Sequence, residues 1–129
     1  MTVGDSRKKS GLEKHGITVK SDKESEAYLN WRNVEASSFG SDTILLRPNP
    51  TASALFEEII RIGQIRRGEL DPLSKISEVL SEISAKEKLI RNKKAYGITD
   101  IEDKKTKRQL NEYKEQLGNL EKEANNNEL

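Results

Sequence analysis

"SALFEEIIRIGQIRRG", residues 53–68, decides how the rest of the chain is arranged. Leu55, Phe56, Ile59, Ile60 and Ile62 spread over an arc of roughly 160° if successive residues turn by ~100°, which is the pattern of a helix laid on a core. Glu57, Arg61 and Gln64 fall together on the opposite side, with Glu58 at the border. A lone buried charge is expensive, so such a group must be paired, bound or used. Three readings stay open from these residues: a structural ion-pair network, the remnant of a metal site, or a catalytic cluster.

Before this helix, "DTILLRP" (42–48) reads as a strand ended by its proline. Asn49-Pro50 then supplies a cap and a first helical position. "GITVK" (16–20), short and β-branched, reads as a second strand. Residues 21–33 fit a short helix with Ala27, Tyr28 and Trp31 on one side, and residues 35–41 look like a loop. After "RRGELDP", Asp71-Pro72 repeats the cap-plus-proline device. A second long helix is predicted from Leu73 to Ala95, striped by Ile76, Val79, Leu80, Ile83 and Ile90, and stopped by Gly97. Thr99 and Glu102 form a capping box. The third helix carries Leu110, Tyr113, Leu117 and Leu120 in a narrow coiled-coil-like seam. The predicted fold is α+β and mostly helical, a short N-terminal strand pair followed by three helices. One domain (15–124) lies between a flexible arm (1–14) and a frayed tail (125–129).

The 129 residues suffice for one domain, and two Phe, three Tyr and one Trp leave the core aliphatic and modest. With 23 Lys and Arg against 22 Asp and Glu, the balance argues against a general polyanion binder. The chain has no cysteine, so it can form neither a disulfide nor a thiolate zinc site. No apolar run approaches the ~18 residues of a membrane span. "MTVGDSRKKSG" lacks the hydrophobic stretch of a signal peptide, so export would depend on something else.

Locally the charge is uneven. Basic runs occur at 65–68, 86–94 and 103–109, and residues 86–114 hold ten Lys or Arg against five Asp or Glu. Such runs make nucleic acid a candidate partner through phosphate contacts, with a solvated helical face as the plain alternative. His15, the single histidine, is either an acid–base group or a surface residue. Glu87 lies near the centre of the second helix's stripe, four residues after Ile83 and three before Ile90. Three readings of it stay open: an ion pair with Arg61, a catalytic or metal-binding carboxylate, or a helix-edge residue that reaches water. A zincin motif needs two imidazoles flanking a Glu-x-x spacer. Here the corresponding five residues are Glu57, Glu58, Ile59, Ile60 and Arg61, so a complete histidine-based zinc site is absent. An oxygen-ligand divalent site from Glu57, Glu58 and Glu87 stays chemically open.

The order "DTILLRPNPT", "ALFEEIIRIGQIRRG" and "SEISAKEKLIRNKKAYGITDIEDKKTKRQLNEYKEQL" resembles the C-terminal toxin domains of bacterial polymorphic and contact-dependent inhibition systems. It is most similar to their zincin-like metallopeptidase group, over roughly residues 40–120. Phe56, Glu58, Gln64, Glu82, Ala85, Leu89 and Tyr96-Gly97-Ile98 carry the likeness, while Glu57 and Arg61 stand where that group has metal ligands. The resemblance implies a growth-inhibitory effector domain at the end of a larger secreted protein. Such a domain acts in the target-cell cytoplasm and is neutralised by a cognate immunity protein. It implies a hydrolase with a non-standard or lost zinc site and an active face of Glu57, Glu58, Arg61, Gln64 and Glu87. A nuclease toxin and a non-catalytic helical interaction module are the alternatives.

Overall fold

The chain runs β1 (Thr18–Lys20), α1 (Lys23–Arg32), β2 (Ala36–Phe39), β3 (Thr43–Leu46), α2 (Ala52–Arg66), α3 (Lys75–Arg91), α4 (Lys93–Tyr96) and α5 (Asp100–Asn127) in the computed structural model, which describes residues 11–71 and 73–127. It is α+β and mostly helical, as expected, but the sheet has a third strand. The stretch read as a loop pairs antiparallel with β3, from Ala36 opposite Leu46 to Phe39 opposite Thr43. β1 pairs parallel with the other edge of β3. Two serines in four residues give β2 little strand propensity of its own, so its partner strand makes it a strand. The central position of β3 explains why Ile44, Leu45 and Leu46 form an unbroken apolar run rather than alternating.

α1 packs against β3. Asp22 caps it, accepting from the Ser25 amide at 2.8 Å, and Asn33 closes it in the left-handed region at φ 55°. Its inward residues are Ser25 and Leu29, and of the side formed by Ala27, Tyr28 and Trp31 only Tyr28 is partly buried. Trp31 is 79% exposed. The aromatics pack on one another at the sheet edge, with the Tyr28 ring centroid 4.9 Å from Phe39 and 5.9 Å from Trp31. Residues 11–14, expected to close a loose arm, form a helical turn, and Leu12 is buried in the sheet-side core.

α2 is covered on two sides. Leu55, Ile59 and Ile62 meet Ile17, Ile44 and Leu46, whereas Phe56 and Ile60 meet Ala85, Leu89 and Ile98. The Phe56 ring stacks on Tyr96 at 4.1 Å and 4°. The helix is capped by Thr51 rather than Asn49, with Thr51 Oγ1 accepting from the Ala54 amide at 3.2 Å. The Ser53 amide is met from far along the chain by Glu102 at 2.9 Å, a partner that local signals do not reveal.

α3 is capped by Ser74, which accepts from the Ser77 amide at 3.1 Å. The expected cap, Asp71, instead accepts from the Leu73 amide at 3.0 Å, and Pro72 lies outside the described residues. The long helix expected to reach Ala95 is interrupted at Asn92. There the side-chain amide donates to the Lys88 carbonyl at 2.8 Å, beside the backbone amide of the same residue at 3.1 Å. α4 follows and ends at Gly97, whose φ of 70° suits glycine. The capping box of α5 forms as read: Thr99 Oγ1 accepts from the Glu102 amide at 3.2 Å, and Glu102 Oε2 accepts from the Thr99 amide at 2.9 Å. The α5 seam of Leu110, Tyr113, Leu117 and Leu120 packs on Val79, Ile83 and Ile90 of α3. The helix continues to Asn127, beyond the expected fraying point.

Candidate functional site

The polar side of α2 faces α3, not solvent. Glu57 pairs with Lys86, and Arg61 pairs with Glu82. One turn further on, Gln64 Nε2 donates to the Ser81 carbonyl at 3.0 Å. Each helix carries a glutamate and a cation four residues apart, and the antiparallel pairing sets every charge opposite its counter-ion. Lys86 is 5% exposed and Glu82 7%, so the α3 half of the ladder is closed to water, whereas the Glu57 and Arg61 side chains on α2 keep 23% and 28% exposure.

Glu87 takes no part in it. It is exposed, and the partner of Arg61 is Glu82. The stripe read from Ile76, Val79, Leu80, Ile83 and Ile90 was centred too far round the helix. The buried face also holds Glu82, Ala85, Lys86 and Leu89, while Leu80 is 49% exposed. The centre of the whole buried set, Ser81 included, lies about 100° from that of the stripe, one residue's turn, which carries Glu87 outside. The oxygen-ligand site that needed Glu87 goes with it.

Glu58 differs from its neighbour. It is half-buried, and its Oε2 is sealed from solvent without a hydrogen-bond partner. Burial pushes its carboxyl above the ordinary glutamate range, and the adjacent Glu57 pushes the same way. The Ser38 hydroxyl, the Arg61 guanidinium and the Ser38 amide pull against that rise.

Glu57 and Glu58 both line a cleft of about 590 Å³ formed by α2, α3, α5 and the segment around β2. Arg47 and Lys105 stand on its walls, as do Gln109 and Tyr113. Burial raises the Tyr113 hydroxyl further above neutrality, helped by the Glu57 carboxylate, so it remains a proton donor. Glu102 also lines the cleft but is fully engaged. Burial acts against its charge, yet the amides and hydroxyls of Ser53 and Thr99 together hold its carboxyl down at about 2.

Among the described residues no three His, Cys, Asp or Glu side chains converge as a metal site would require. The donor set does not suit a divalent ion either. Glu57, at the first ligand position of the resembled motif, is neutralised by Lys86, and the second position holds a guanidinium. His15 is exposed, and its carbonyl, not its ring, is used, accepting from Arg66 at 2.9 Å. The basic runs are also partly consumed. Lys93 pairs with Asp100, Lys107 with Asp103 at 2.9 Å, and Arg67 with Glu69 at 2.7 Å.

Sequence reasoning thus gathered Glu57, Glu58, Arg61 and Gln64 correctly onto one helix region but missed Glu82, Lys86, Arg47 and Lys105 as their company. One signal was present: the Glu-x-x-x-cation spacing recurs at 57–61 and 82–86. Among the described residues no helix is long and apolar enough to cross a membrane. No protein family, no curated protein and no solved structure matches the chain.

Proposed function

We propose that this chain is a growth-inhibitory effector domain of the bacterial toxin kind, hydrolytic, with Glu58 as its acid–base group. The supporting observation is the environment of Glu58: a carboxyl with one sealed, unpartnered oxygen and an elevated pKa, at the wall of a large polar cleft. A carboxyl with a raised pKa holds its proton more readily than an ordinary glutamate, which suits a proton donor. Glu57, Arg61 and Gln64 are assigned a supporting role, since each is tied to a partner on α3. On this reading the domain is delivered as part of a larger bacterial protein, acts in the target-cell cytoplasm and is held in check by an immunity protein.

The test is induced expression in a bacterial host. Growth arrest by the parent and none by E58Q, with both proteins folded and equally abundant, supports the assignment. Equal arrest by the two removes Glu58 from the chemistry. The second reading, a non-catalytic interaction module, is favoured by the closed ion-pair ladder. It predicts no arrest by either protein. Its original docking seam is taken, however, because Leu110, Tyr113, Leu117 and Leu120 are spent on α3.

A further inference from the structure

We infer that the cleft binds an anionic ligand of the phosphate-ester class, held between Arg47 on the sheet side and Lys105 on α5. The inference rests on reading the cleft as the active site and names the ligand that site would take.

The charges around the cleft sort themselves by partner. Glu57 is met by Lys86, Glu82 by Arg61, and Glu102 by the groups of Ser53 and Thr99. Glu35 is exposed at the rim. Two cations are left. Arg47, half-buried, donates from Nη1 to Asn30 Oδ1 at 2.6 Å and from Nη2 to the Val34 carbonyl at 3.0 Å. Both acceptors are neutral, so the guanidinium is oriented but its charge is met by no carboxylate among the described residues. Its remaining N–H groups form a fork that suits a phosphate. Lys105 is exposed, and among the described residues no carboxylate pairs with it either.

Other cations, Lys104, Arg108 and Lys114 among them, also lack an acidic partner among the described residues, but Arg47 and Lys105 are the ones that line the cleft. Lys75, Lys93 and Lys107 each have an acidic partner, and Arg66 is tied to the carbonyls of His15, Gly16 and Ser41. Below Lys105 on the same wall, Gln109 and Tyr113 follow at four-residue spacing and make no hydrogen bond among the described residues. An ammonium, an amide and a phenol in a row, facing an oriented guanidinium, offer donors to a tetrahedral anion from two sides. Glu58 also lines the cleft, with its Oε2 sealed from solvent. Such a phosphate could belong to a nucleic-acid strand or to a small phosphorylated molecule.

Isotope-labelled chain is titrated at low salt with inorganic phosphate and, separately, with a short single-stranded RNA, following amide shifts. The expected changes cluster at residues 33–36, 47 and 105–113. K105E, an exposed change that leaves the fold intact, and R47K should each weaken binding by roughly tenfold. K94E, outside the cleft, should bind like the parent. Much tighter, salt-sensitive binding of RNA assigns the phosphate to a strand, and equal binding of the two probes assigns it to a small ester. Unchanged affinity in K105E and R47K, or shift changes confined to the 88–94 run, overturns the inference. If K105E and R47K lose phosphate while the parent fails to arrest growth, the ligand site stands and the toxin reading falls. If E58Q abolishes arrest while the Arg47 and Lys105 variants bind normally, the reverse holds.

Discussion

Toward α5, helix α3 presents Val79 and Ile83, which pack with Leu110 and the α5 seam. Toward α2 it presents Glu82 and Lys86, each matched to an opposite charge, with Gln64 closing the row on the Ser81 carbonyl. The first interface is held by removing apolar surface from water, which scales with area and tolerates small shifts. The second contributes little net free energy, because desolvating two charges offsets most of their attraction. What it supplies is register. If α3 slipped by one turn in one direction, Lys86 would face Arg61, and in the other direction Glu82 would face Glu57. Both slips place like charges together in an interface half closed to water, so the ladder disfavours them. An apolar seam alone does not discriminate in this way.

The strongest way to break this contrast is to remove one ion from the ladder. K86M leaves Glu57 without its counter-ion and should cost about 3–5 kcal/mol in urea unfolding. Converting both partners, E57L with K86M, should recover most of that loss. A double variant as unstable as the single one would show that Lys86 matters for its packing and not for its charge. On the apolar side, I83A should cost roughly 2–3 kcal/mol, the lower part of the range for such truncations because Ile83 keeps some solvent contact. Here no second substitution on α5 should restore stability unless it refills the volume.

Two carboxylates at the cleft sharpen the comparison through pH. Glu102 has a depressed pKa, so its contribution is fully present above the ordinary glutamate value of 4.5 and is lost as pH falls through about 2. E102Q should therefore be less stable than the parent by about 1 kcal/mol at neutral pH, the usual loss for a helix cap. The two proteins should converge in strong acid. Glu58 has the opposite sign. Its folded-state pKa is raised, so its stabilising effect holds below 4.5 and fades as pH rises through the elevated value. E58Q should match the parent in acid and be slightly more stable above neutrality, the smallest effect of the set. Chemical denaturation across pH reads both curves.

How far the sequence could be read depends on where each partner lies. The helices around Phe56, Ile83 and Leu110 follow from spacing, and the Thr99–Glu102 box forms because both halves lie within one turn. Strand β2 was hidden because Ser37 and Ser38 are extended only through their pairing with β3. Beside the local cap at Thr51, the Ser53 amide is met by Glu102, 49 residues away, which no local signal reveals. Within the candidate site, Glu57, Glu58, Arg61 and Gln64 could be grouped because they share a helix. Glu87 was misplaced because the stripe left out Ala85 and Leu89 and took no charged residue as inward, whereas Glu82 and Lys86 both are. Only their spacing, repeated from α2, hinted at that. Arg47 and Lys105 reach the cleft from elements that no periodicity connects.

The central claim is that adjacent glutamates have been divided between two tasks, Glu57 to the ladder and Glu58 to the cleft. It is tested most directly by comparing growth inhibition by two folded variants, E58Q and the charge-exchanged ladder E57K with K86E. The account predicts that the exchanged ladder still arrests growth, since the pair is preserved with its polarity reversed, and that E58Q does not. Arrest by E58Q at the parent's level, with the exchanged ladder folded yet harmless, would contradict it and assign the chemistry to Glu57.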